Sequence, residues 1–493
     1  MNLREHQWKA YYEIKQAIRE GHTKIMVGAT TSFGKTILAA KILGDCVEKG
    51  NRGFMVCDRI KLVEQSLEKF GMLDCGVIQG NHPMAKPWAL TQIASVQTLA
   101  RRNGLPDGRV FIYDEAHTMY RYHQTLIEKY DNCIHIGLSA TPFSKGLGQY
   151  YTKLIVPITA QELLDQGWLC PVRYFAGEQP DLGKVRVKGL KYGGTDYDQR
   201  DVSIEYDKPK LIGDVVKTWK EKGKDLQTIA FCPSIKHSKG LVDAFRAAGV
   251  SACHVDHHTP PDVREELYQQ HDQGLFKILS CSMLLNTGYD SPSTKCIIDC
   301  RPTKSLILYV QRVGRIMRIH EDHKEAIYLD HAGNVAQHGF AEDVVPESLH
   351  DGSKEYDEKS LTKEKKEKEP IECECCHAIM KGIRCGVCGH ELKTKRKEIE
   401  TVAGELQEVV RFTPEMQSFY SGLLHHARSK GYADGWAFNV FKEKYKRPPF
   451  EAKKVPEPPN EMVLGYIKHR NIRNAKSKRF GNSQLKKIKD SLK

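Results

Sequence analysis

The stretch Val110-Phe111-Ile112-Tyr113-Asp114-Glu115-Ala116-His117 decides how this chain folds. Its first four residues are apolar and rich in β-branched and aromatic side chains, which predicts a buried strand. Asp114 and Glu115 follow directly, so two carboxylates stand where that strand ends. Such a pair can hold Mg²⁺ and orient a water molecule, although an Asp-Glu pair is also common in plain surface turns. A companion motif is needed to decide between the two interpretations.

The companion motif is Ala29-Thr30-Thr31-Ser32-Phe33-Gly34-Lys35-Thr36, and its lysine precedes Glu115 by 80 residues. It follows the apolar run Ile25-Met26-Val27 and opens a helical pattern, which is the setting of a phosphate-binding loop. Backbone N–H groups would cradle the β-phosphate, Lys35 would reach the β and γ oxygens, and the Thr36 hydroxyl would bind Mg²⁺. Alanine at 29 and phenylalanine at 33 depart from the usual pattern of glycine and a small residue.

The two motifs, each after a strand-like run, predict that the chain binds and hydrolyses a nucleoside triphosphate. Asp114 would hold Mg²⁺ through a water molecule, and Glu115 would activate the attacking water. A third motif, Gln311-Arg312-Val313-Gly314-Arg315-Ile316-Met317-Arg318, would complete the site. Arg315 and Arg318 share a helix face and could stabilise transition-state charge from a second domain, as arginine fingers do. Without this context, the same pair would indicate only a solvated helix.

Short apolar runs alternate with amphipathic stretches, which predicts parallel sheets covered by helices on both faces. A length of 493 residues is too great for one hydrophobic core. We therefore expect an α/β protein with two tandem parallel-sheet domains, a small cysteine module and a mainly helical, basic C-terminal region.

The sequence pattern also sets the expected boundaries. The predicted segments are 1–155 for the first domain, 156–205 for a connection, 206–340 for the second domain, 341–371 for a linker, 372–391 for the cysteine module and 392–493 for the C-terminal region. The predicted strands cover 25–27, 53–57, 93–96, 110–113 and 134–138 in the first domain, and 228–232, 252–255, 277–281, 296–300 and 326–329 in the second. Helical patterns cover 36–47 and 61–70.

Composition narrows the class of protein. Apolar residues make up 40% of the chain and charged residues 28%, as is ordinary for a soluble protein. No apolar stretch approaches the roughly 20 residues that span a bilayer, and the N-terminus lacks the apolar core of a signal peptide. Most of the 15 cysteines are scattered singly, which fits a reducing compartment. We therefore expect a cytoplasmic protein without a membrane partner.

The net charge of +13 is unevenly distributed. Residues 391–493 hold 23 Lys and Arg against 12 Asp and Glu, whereas the first 390 residues hold 52 against 50. A basic tail behind a nearly neutral body indicates a polyanionic partner, although a solvated tail without a partner has the same composition. Lys476, Lys478 and Arg479 are the expected phosphate contacts. The run from Trp436 to Tyr445 interleaves aromatic and basic residues, so it could stack bases or form the packed face of a small domain.

Four cysteines form two Cys-x-x-Cys knuckles with eight residues between them: Cys373, Cys376, Cys385 and Cys388. Two such pairs are what tetrahedral thiolate coordination of Zn²⁺ needs. A redox Cys-x-x-Cys would need only one pair. We therefore predict one structural Zn²⁺, with Cys375 and His377 as alternative ligands at the first knuckle.

As a set, the motifs resemble those of superfamily 2 helicases of the DEAH type, over about residues 3–335. The similar segments are 3–7, 29–36, 58–65, 95–98, 114–117, 139–141, 286–290 and 311–318. The resemblance implies two RecA-like domains with ATP and Mg²⁺ in the cleft between them and nucleic acid across the top. It also implies that closure on ATP, hydrolysis and reopening step the domains along one strand.

Residue roles are implied by this resemblance position by position. The implied roles are catalysis for Lys35, Asp114, Glu115, Gln311, Arg315 and Arg318; cofactor binding for Gln7, Thr31, Gly34, Lys35, Thr36, Asp114, Gly288 and Asp290; nucleic-acid binding for Arg59, Gln97, Thr98, Asn286 and Thr287; and coupling of hydrolysis to movement for Ser139 and Thr141. A narrower similarity, to RadD-type bacterial DNA-repair helicases and their phage relatives, is carried by residues 329–335, the cysteine module and residues 435–444.

The expected function is therefore that of an ATP-dependent DNA helicase or translocase in repair, recombination or replication. Single-stranded or branched DNA is the expected partner, RNA stays open, and repair or replication proteins are further candidates. Three alternatives stay open: a double-stranded DNA translocase that does not separate strands, an RNA helicase, and an ATP-switched nucleic-acid-binding adaptor. The expected setting is the cytoplasm of a bacterium, or of the host if the chain is phage-encoded.

Overall fold

The computed structural model of the chain forms two compact units, residues 1–406 and 407–493. The structure describes residues 3–58, 63, 70, 73–101, 107–177, 182, 185–189, 195–206, 209–282, 284, 289, 291–321, 323–353, 371–372, 379–380, 406–409, 411–445, 449 and 452–470. The first unit contains two parallel sheets, each the centre of what we call a lobe. The second unit is a small helical domain.

The first lobe is built around a parallel sheet of seven strands. Its elements are α1 (Glu5–Arg19), β1 (Lys24–Gly28), α2 (Lys35–Glu48), β2 (Gly53–Cys57), β3 (Cys75–Ile78), β4 (Thr91–Ser95), α3 (Val96–Arg101), β5 (Val110–Tyr113), α4 (Arg121–Lys129), β6 (Ile134–Ser139) and β7 (Lys153–Ile155). The strand order is β3-β4-β2-β5-β6-β1-β7. β2 and β5 are buried at every residue, as expected where helices cover both faces of a parallel sheet.

The second lobe repeats this plan. After α5 (Ala160–Asp165), its elements are β8 (Val172–Ala176), β9 (Val187–Gly189), β10 (Thr195–Tyr197), α6 (Gln199–Tyr206), α7 (Pro209–Lys222), β11 (Thr228–Cys232), α8 (Ile235–Ala247), β12 (Ala252–Val255), α9 (Pro261–Asp272), β13 (Ile278–Ser282), β14 (Cys296–Asp299), α10 (Leu306–Ile316), β15 (Ala326–Asp330) and α11 (Asn334–His338). Six of these strands are parallel neighbours in the order β12-β13-β11-β14-β15-β8. β9 and β10 form a separate antiparallel hairpin.

The two tandem parallel sheets confirm the predicted fold class for this part of the chain. All ten predicted strands are present, with ends that differ from the prediction by at most two residues. The helical pattern at 36–47 is α2, whereas that at 61–70 lies almost entirely outside the described residues. β8 lies within the expected connection, yet it pairs with β15 along its whole length. The connection therefore supplies an outer strand to the second sheet.

The stretch expected as a linker begins by returning to the first lobe. A Cβ on Gly28, the last residue of β1, would lie 3.2 Å from Pro346. The carbonyl of His350 accepts a hydrogen bond of 2.8 Å from the backbone N–H of Gly148, and Leu349 packs against the first lobe's core. Residues 346–350 therefore form a strap that fastens the chain to the first lobe after the second lobe is complete.

The second unit is a helical domain with its own hydrophobic core. It contains β18 (Gln407–Glu408), α12 (Pro414–Ser429), α13 (Asp434–Tyr445) and helical residues 461–470; the first unit also holds the short pair β16 (Ile371–Glu372) and β17 (Ile379–Met380). Phe419, Val440 and Phe441 are fully buried in that core. The packed-face interpretation of the aromatic run is therefore confirmed for Val440 and Phe441. Within the described ranges, we find no helix with the length and apolarity needed to cross a bilayer.

Candidate active site

The phosphate-binding loop joins β1 to α2 through left-handed backbone. The φ angle is 64° at Ser32 and 87° at Gly34, a region that residues other than glycine seldom adopt. A Cβ at Gly34 would lie 2.2 Å from Gln7 Nε2, so no side chain fits there. Phe33 is fully buried, and its ring centroid lies 5.1 Å from that of His6. The unusual phenylalanine therefore anchors the loop to α1.

Gln7 binds this loop directly. Its Nε2 donates to the carbonyl of Phe33 at 2.8 Å, and its Oε1 accepts from the backbone N–H of Arg4 at 2.8 Å. The side chain is buried, so both ends of the amide have partners inside the protein. The implied contact with adenine would use the second N–H of Nε2 or the second lone pair of Oε1.

Lys35 and the two carboxylates meet where β1 and β5 end. Lys35 Nζ donates to Glu115 Oε1 at 3.0 Å. Asp114 is buried, and its Oδ1 accepts from the backbone N–H of Glu115 at 3.0 Å. Glu115 has a φ of 47°, a conformation that costs free energy for a residue with a Cβ and is found mainly at functional sites. Thr36 follows Lys35 in the first turn of α2.

These charges shift one another's pKa. Burial raises the pKa of Asp114 to about 6, and the Glu115 carboxylate adds to that increase. Burial alone would also raise the pKa of Glu115, but Lys35 and His117 lower it below its ordinary value. Burial alone would lower the pKa of Lys35, but Glu115 and Asp114 raise it. Lys35 and Glu115 are therefore both charged at neutral pH, and Asp114 is the acid that titrates nearest to neutrality.

His117 connects this group to the rest of the site. Its Nδ1 lies 3.0 Å from Ser139 Oγ and 3.2 Å from Glu115 Oε2, and its Nε2 lies 3.2 Å from Gln311 Nε2. An amide nitrogen donates, so Nε2 of the histidine accepts and the ring proton is on Nδ1. Ser139 Oγ also accepts from the backbone N–H of Thr141 at 3.0 Å. The motif from Asp114 to His117 includes this histidine, but the spacing of its residues did not indicate these contacts.

Helix α10 brings the third motif to the phosphate loop. A Cβ on Gly314 would lie 2.5 Å from Thr31 Oγ1, so the helix approaches the loop as closely as glycine allows. Arg318 is close enough to Lys35 for its charge to lower the pKa of that lysine. Burial lowers the pKa of Arg318 itself to about 10. Arg315 Nη1 instead donates to the carbonyl of Tyr289.

Two buried cations hold α10 in place. Arg312 Nη1 donates to both oxygens of Asp299, at 3.0 and 2.9 Å, and both side chains are completely inaccessible to solvent. Tyr328 Oη donates to the same carboxylate at 2.7 Å. Beyond the helix end, the fully buried Lys295 donates to the backbone carbonyl of Arg318. The roles of Arg312 and Lys295 could not be predicted from the sequence, because the spacing of the motif does not indicate the buried partner of either residue.

The two described residues with expected nucleic-acid roles make hydrogen bonds to neighbouring loops of the first lobe. Gln97 Nε2 donates to the carbonyl of Asp58 at 2.5 Å, and its Oε1 accepts from Ser95 Oγ at 2.8 Å. Thr98 Oγ1 accepts from the backbone N–H of Gly80 at 3.3 Å. Both residues lie just beyond the end of β4. Their contacts are compatible with a loop-supporting role, and their contact with nucleic acid stays a prediction.

Several predicted residues lie outside the described ranges. They are Arg59, Asn286, Thr287, Gly288, Asp290, Lys476, Lys478 and Arg479, together with Cys373, Cys376, Cys385 and Cys388. Among the residues that the structure does describe, no group of three or more His, Cys, Asp or Glu could hold a metal ion. The zinc prediction concerns other residues and is not tested by that result.

Comparison with known families matches both lobes. Residues 1–144 match the family described as the res subunit of type III restriction enzymes, and residues 207–320 match the helicase conserved C-terminal domain. A 51.5 kDa protein of a Lactococcus phage (isolate 7-9) is 27% identical over 388 residues, which cover 76% of this chain and 79% of the relative.

Two further proteins are similar to this chain. The putative ATP-dependent helicase IRC3 of Saccharomyces cerevisiae is 25% identical, over 67% of this chain and 51% of its own length. This chain therefore spans about half of the yeast relative. The solved fragment of a putative HsdR subunit of a type I restriction enzyme from Vibrio vulnificus YJ016 is 18% identical with a TM-score of 0.53, over 71% of this chain and 67% of that one. That likeness shows a shared fold.

Two parallel-sheet lobes meet at a phosphate loop, and family matches cover both lobes in the expected order. Together with the similarity to the putative yeast helicase, these findings show that the chain belongs to helicase superfamily 2 and is an ATP-dependent helicase or translocase.

Proposed function

We propose that this chain is a DNA-directed motor that converts ATP hydrolysis into movement along a DNA strand. The supporting observation is the contact of 3.2 Å between Gln311 and His117, which joins the two lobes beside Glu115. A change in the separation of the lobes would alter the surroundings of the carboxylate expected to activate water. Coupling of hydrolysis to domain movement requires such a link.

The residues present fit ATP with Mg²⁺, which when bound supplies the phosphoanhydride bond whose cleavage drives the cycle. Within the described part of the chain, the Thr30 and Thr141 hydroxyls are buried without a hydrogen-bond partner. Lys35 would exchange Glu115 for phosphate oxygens. That exchange would leave the Glu115 carboxylate free to accept a proton from water. Asp114 would then hold the metal as a carboxylate.

The second lobe would supply positive charge to the same reaction. Arg318 lies near Lys35, and its low exposure strengthens any interaction with developing negative charge. Arg315 would first have to leave the carbonyl of Tyr289. Ser139 contacts His117 and accepts a hydrogen bond from the backbone of Thr141, so a movement of His117 would displace the backbone after β6. This is the proposed route of coupling.

The substrate assignment rests on the basic C-terminal region and on the family matches. The test is steady-state ATPase turnover with single-stranded DNA, duplex DNA, forked DNA and RNA, beside a strand-displacement assay. We expect stimulation by single-stranded or forked DNA together with displacement. Stimulation by RNA alone would overturn the DNA assignment.

A translocase that moves without separating strands is the second candidate. It is favoured by the matches to restriction-enzyme motor subunits in family and fold. Stimulation by duplex DNA without strand displacement would support it. A chain that binds nucleic acid and ATP without turnover would instead be an ATP-switched adaptor.

We also propose a structural Zn²⁺ on Cys373, Cys376, Cys385 and Cys388. The support is that β16 and β17 pair Glu372 with Ile379, and the first Cys-x-x-Cys falls between these two strands in the sequence. Metal analysis of the purified chain should give one zinc, and replacing Cys385 and Cys388 with serine should remove it. If this double variant kept its zinc, the assignment would be contradicted.

The proposed biological setting is DNA repair in the cytoplasm of a bacterium or of a phage-infected host.

A further inference from the structure

The C-terminal unit divides its aromatic residues between an interior and a surface. Phe419, Tyr420 and Phe441 are buried in its core. Tyr432, in contrast, is 49% exposed, whereas Trp436 is partly buried and packs against the edge of that core. A ring as exposed as that of Tyr432 contributes little to the stability of the core, because little of its surface is removed from water on folding. The exposed ring of Tyr432 therefore calls for a separate explanation.

Tyr432 and Trp436 form one cluster with His426. The ring centroids of Tyr432 and Trp436 are 5.4 Å apart, and those of His426 and Trp436 are 5.5 Å apart. The interplanar angles are 37° and 32°. We call these three residues the aromatic platform. The rings are inclined to one another rather than packed edge-on, and Tyr432 is the most exposed of the three.

The platform is held rigid by the turn between α12 and α13. Arg428 binds Asp434 through two hydrogen bonds, of 3.0 and 2.9 Å. The backbone N–H of Tyr432 donates to the carbonyl of Ala427 at 2.8 Å. Gly431 has a φ of 68°, which a residue with a side chain would adopt only at a cost. A ligand would therefore meet rings that are already in position.

Cations lie beside the platform, and two of them, Arg428 and Arg470, are each paired with a carboxylate. The Arg470 guanidinium carbon lies 5.9 Å from the Trp436 ring centroid, and its Nε donates to Glu443 at 2.6 Å. Burial lowers the pKa of His426, and the nearby Lys430 lowers it further. The chain then continues from Arg470 into residues 471–493, which contain eight Lys and Arg and one Asp.

We infer that the platform binds single-stranded nucleic acid, with unpaired bases stacked on Tyr432 and Trp436 and phosphates on the adjoining cations. Aromatic faces bordered by Lys and Arg are the usual means of holding an unpaired strand without reading its sequence. Duplex nucleic acid fits less well, because its bases are stacked inside the helix. This inference rests on the proposed function, since it takes nucleic acid as the track of the motor.

The test compares Tyr432→Ala and Tyr432→Phe in the full-length chain. Fluorescence anisotropy would measure the dissociation constant for a labelled oligothymidylate over a range of NaCl concentrations. Tyr432→Ala should bind on the order of tenfold more weakly, whereas Tyr432→Phe keeps the ring and should bind like the parent. Stacking neutralises no phosphate, so the slope of log K against log salt should not change. Removal of residues 471–493 should reduce that slope instead.

A matched control is available in the first lobe. Tyr12 is 61% exposed and stacks on Trp8 with centroids 5.6 Å apart. Tyr12→Ala removes a similar exposed ring from a different surface, and it should leave the affinity unchanged. A strand with abasic sites should bind equally to the parent chain and to Tyr432→Ala, because it offers no bases to stack.

The outcomes separate this inference from the proposed function. ATPase turnover without nucleic acid should be the same in Tyr432→Ala and the parent chain, and turnover at saturating DNA should also be the same. Unchanged affinity of Tyr432→Ala for oligothymidylate would overturn the platform alone, as would an equal loss with the abasic strand. A parent chain that binds no single-stranded DNA and is not stimulated by it would overturn the proposed function as well.

Discussion

Replacing Gly314 with alanine should impair ATP hydrolysis while leaving the second lobe at least as stable. Gly314 lies inside α10, where alanine is favoured over glycine by about 1 kcal/mol. Within the second lobe, therefore, the substitution stabilises the helix. On the side that faces the first lobe, the new Cβ would stand 2.5 Å from Thr31 Oγ1 and 3.3 Å from Thr31 Cβ. Threonine is branched at Cβ, so it has little freedom to turn away.

The size of the effect follows from these distances. Overpacking of a closed contact costs about 1–3 kcal/mol. The helix gain is present whether the lobes are together or apart, so it does not offset this cost. Since 1.4 kcal/mol is a factor of ten, the closed arrangement should become about 5-fold to about 140-fold less favourable. We expect kcat/KM for ATP to fall by a similar factor and the melting temperature to stay equal or rise.

The assay is steady-state ATPase beside thermal unfolding, with two further variants. Gly44→Ala is the matched control, because Gly44 lies inside α2 and its Cβ would meet only Leu73 at 3.7 Å. It should gain helix stability and keep parental turnover. Gly314→Ala should reduce turnover less in a Thr31→Ala background than in the parent chain, because the side chain that it would clash with has been shortened. Parental activity in Gly314→Ala, or the same fractional loss in both backgrounds, would refute the close approach of the two lobes.

Three other substitutions or conditions test the site. Glu115→Gln should bind ATP with near-parental affinity in an equilibrium assay yet lose turnover by at least a hundredfold, roughly the contribution of a general base; parental turnover would remove Glu115 from that role. The Mg²⁺ concentration for half-maximal turnover should rise as the pH falls below about 6. Burial and Glu115 raise the pKa of Asp114 to that value, and the protonated acid binds metal poorly. A constant Mg²⁺ requirement down to about pH 5 would contradict this expectation. Lys295→Met should keep the melting temperature, since a buried cation whose partner is a carbonyl is costly to retain. It should lower kcat more than it changes KM, because the backbone of Arg318 would lose its hydrogen bond to Lys295. An unchanged kcat would show that Lys295 has no positioning role.

Strands with buried apolar runs were predictable because consecutive apolar residues are themselves the signal of a strand covered on both faces. β2, β5, β11 and β14 consist of four or five consecutive buried residues each. β8 was missed, because only two of its five residues are fully buried and it follows a segment without regular periodicity. Its place in the sheet depends on pairing with β15, which lies about 150 residues away in the sequence. A period-two or period-3.6 pattern carries no information about such a partner.

Only part of the site was predictable from the sequence. Lys35 and Glu115 were identified from motifs whose chemistry fixes residue types at short spacing. The contact of His117 with Gln311 joins residues that are 194 positions apart, and it depends on how the lobes meet. Likewise, residues Trp436 to Tyr445 showed both aromatic and basic character, but only the fold separates the buried Phe441 from the partly exposed Trp436.

The arrangement of α10 explains why one helix can serve both lobes. Tyr309, Arg312, Val313 and Ile316 are buried on one side of it. Gln311, Gly314 and Arg318 recur at intervals of three and four residues, so they follow a single helical stripe that continues just past the helix end. The Arg312–Asp299 pair fixes the helix within the second lobe, because removing one partner would leave a buried charge at a cost of about 3–5 kcal/mol. The stripe must therefore move with that lobe as one rigid body. Closure would then bring Gln311 to His117 and Arg318 to the phosphate loop in the same step, and opening would withdraw both.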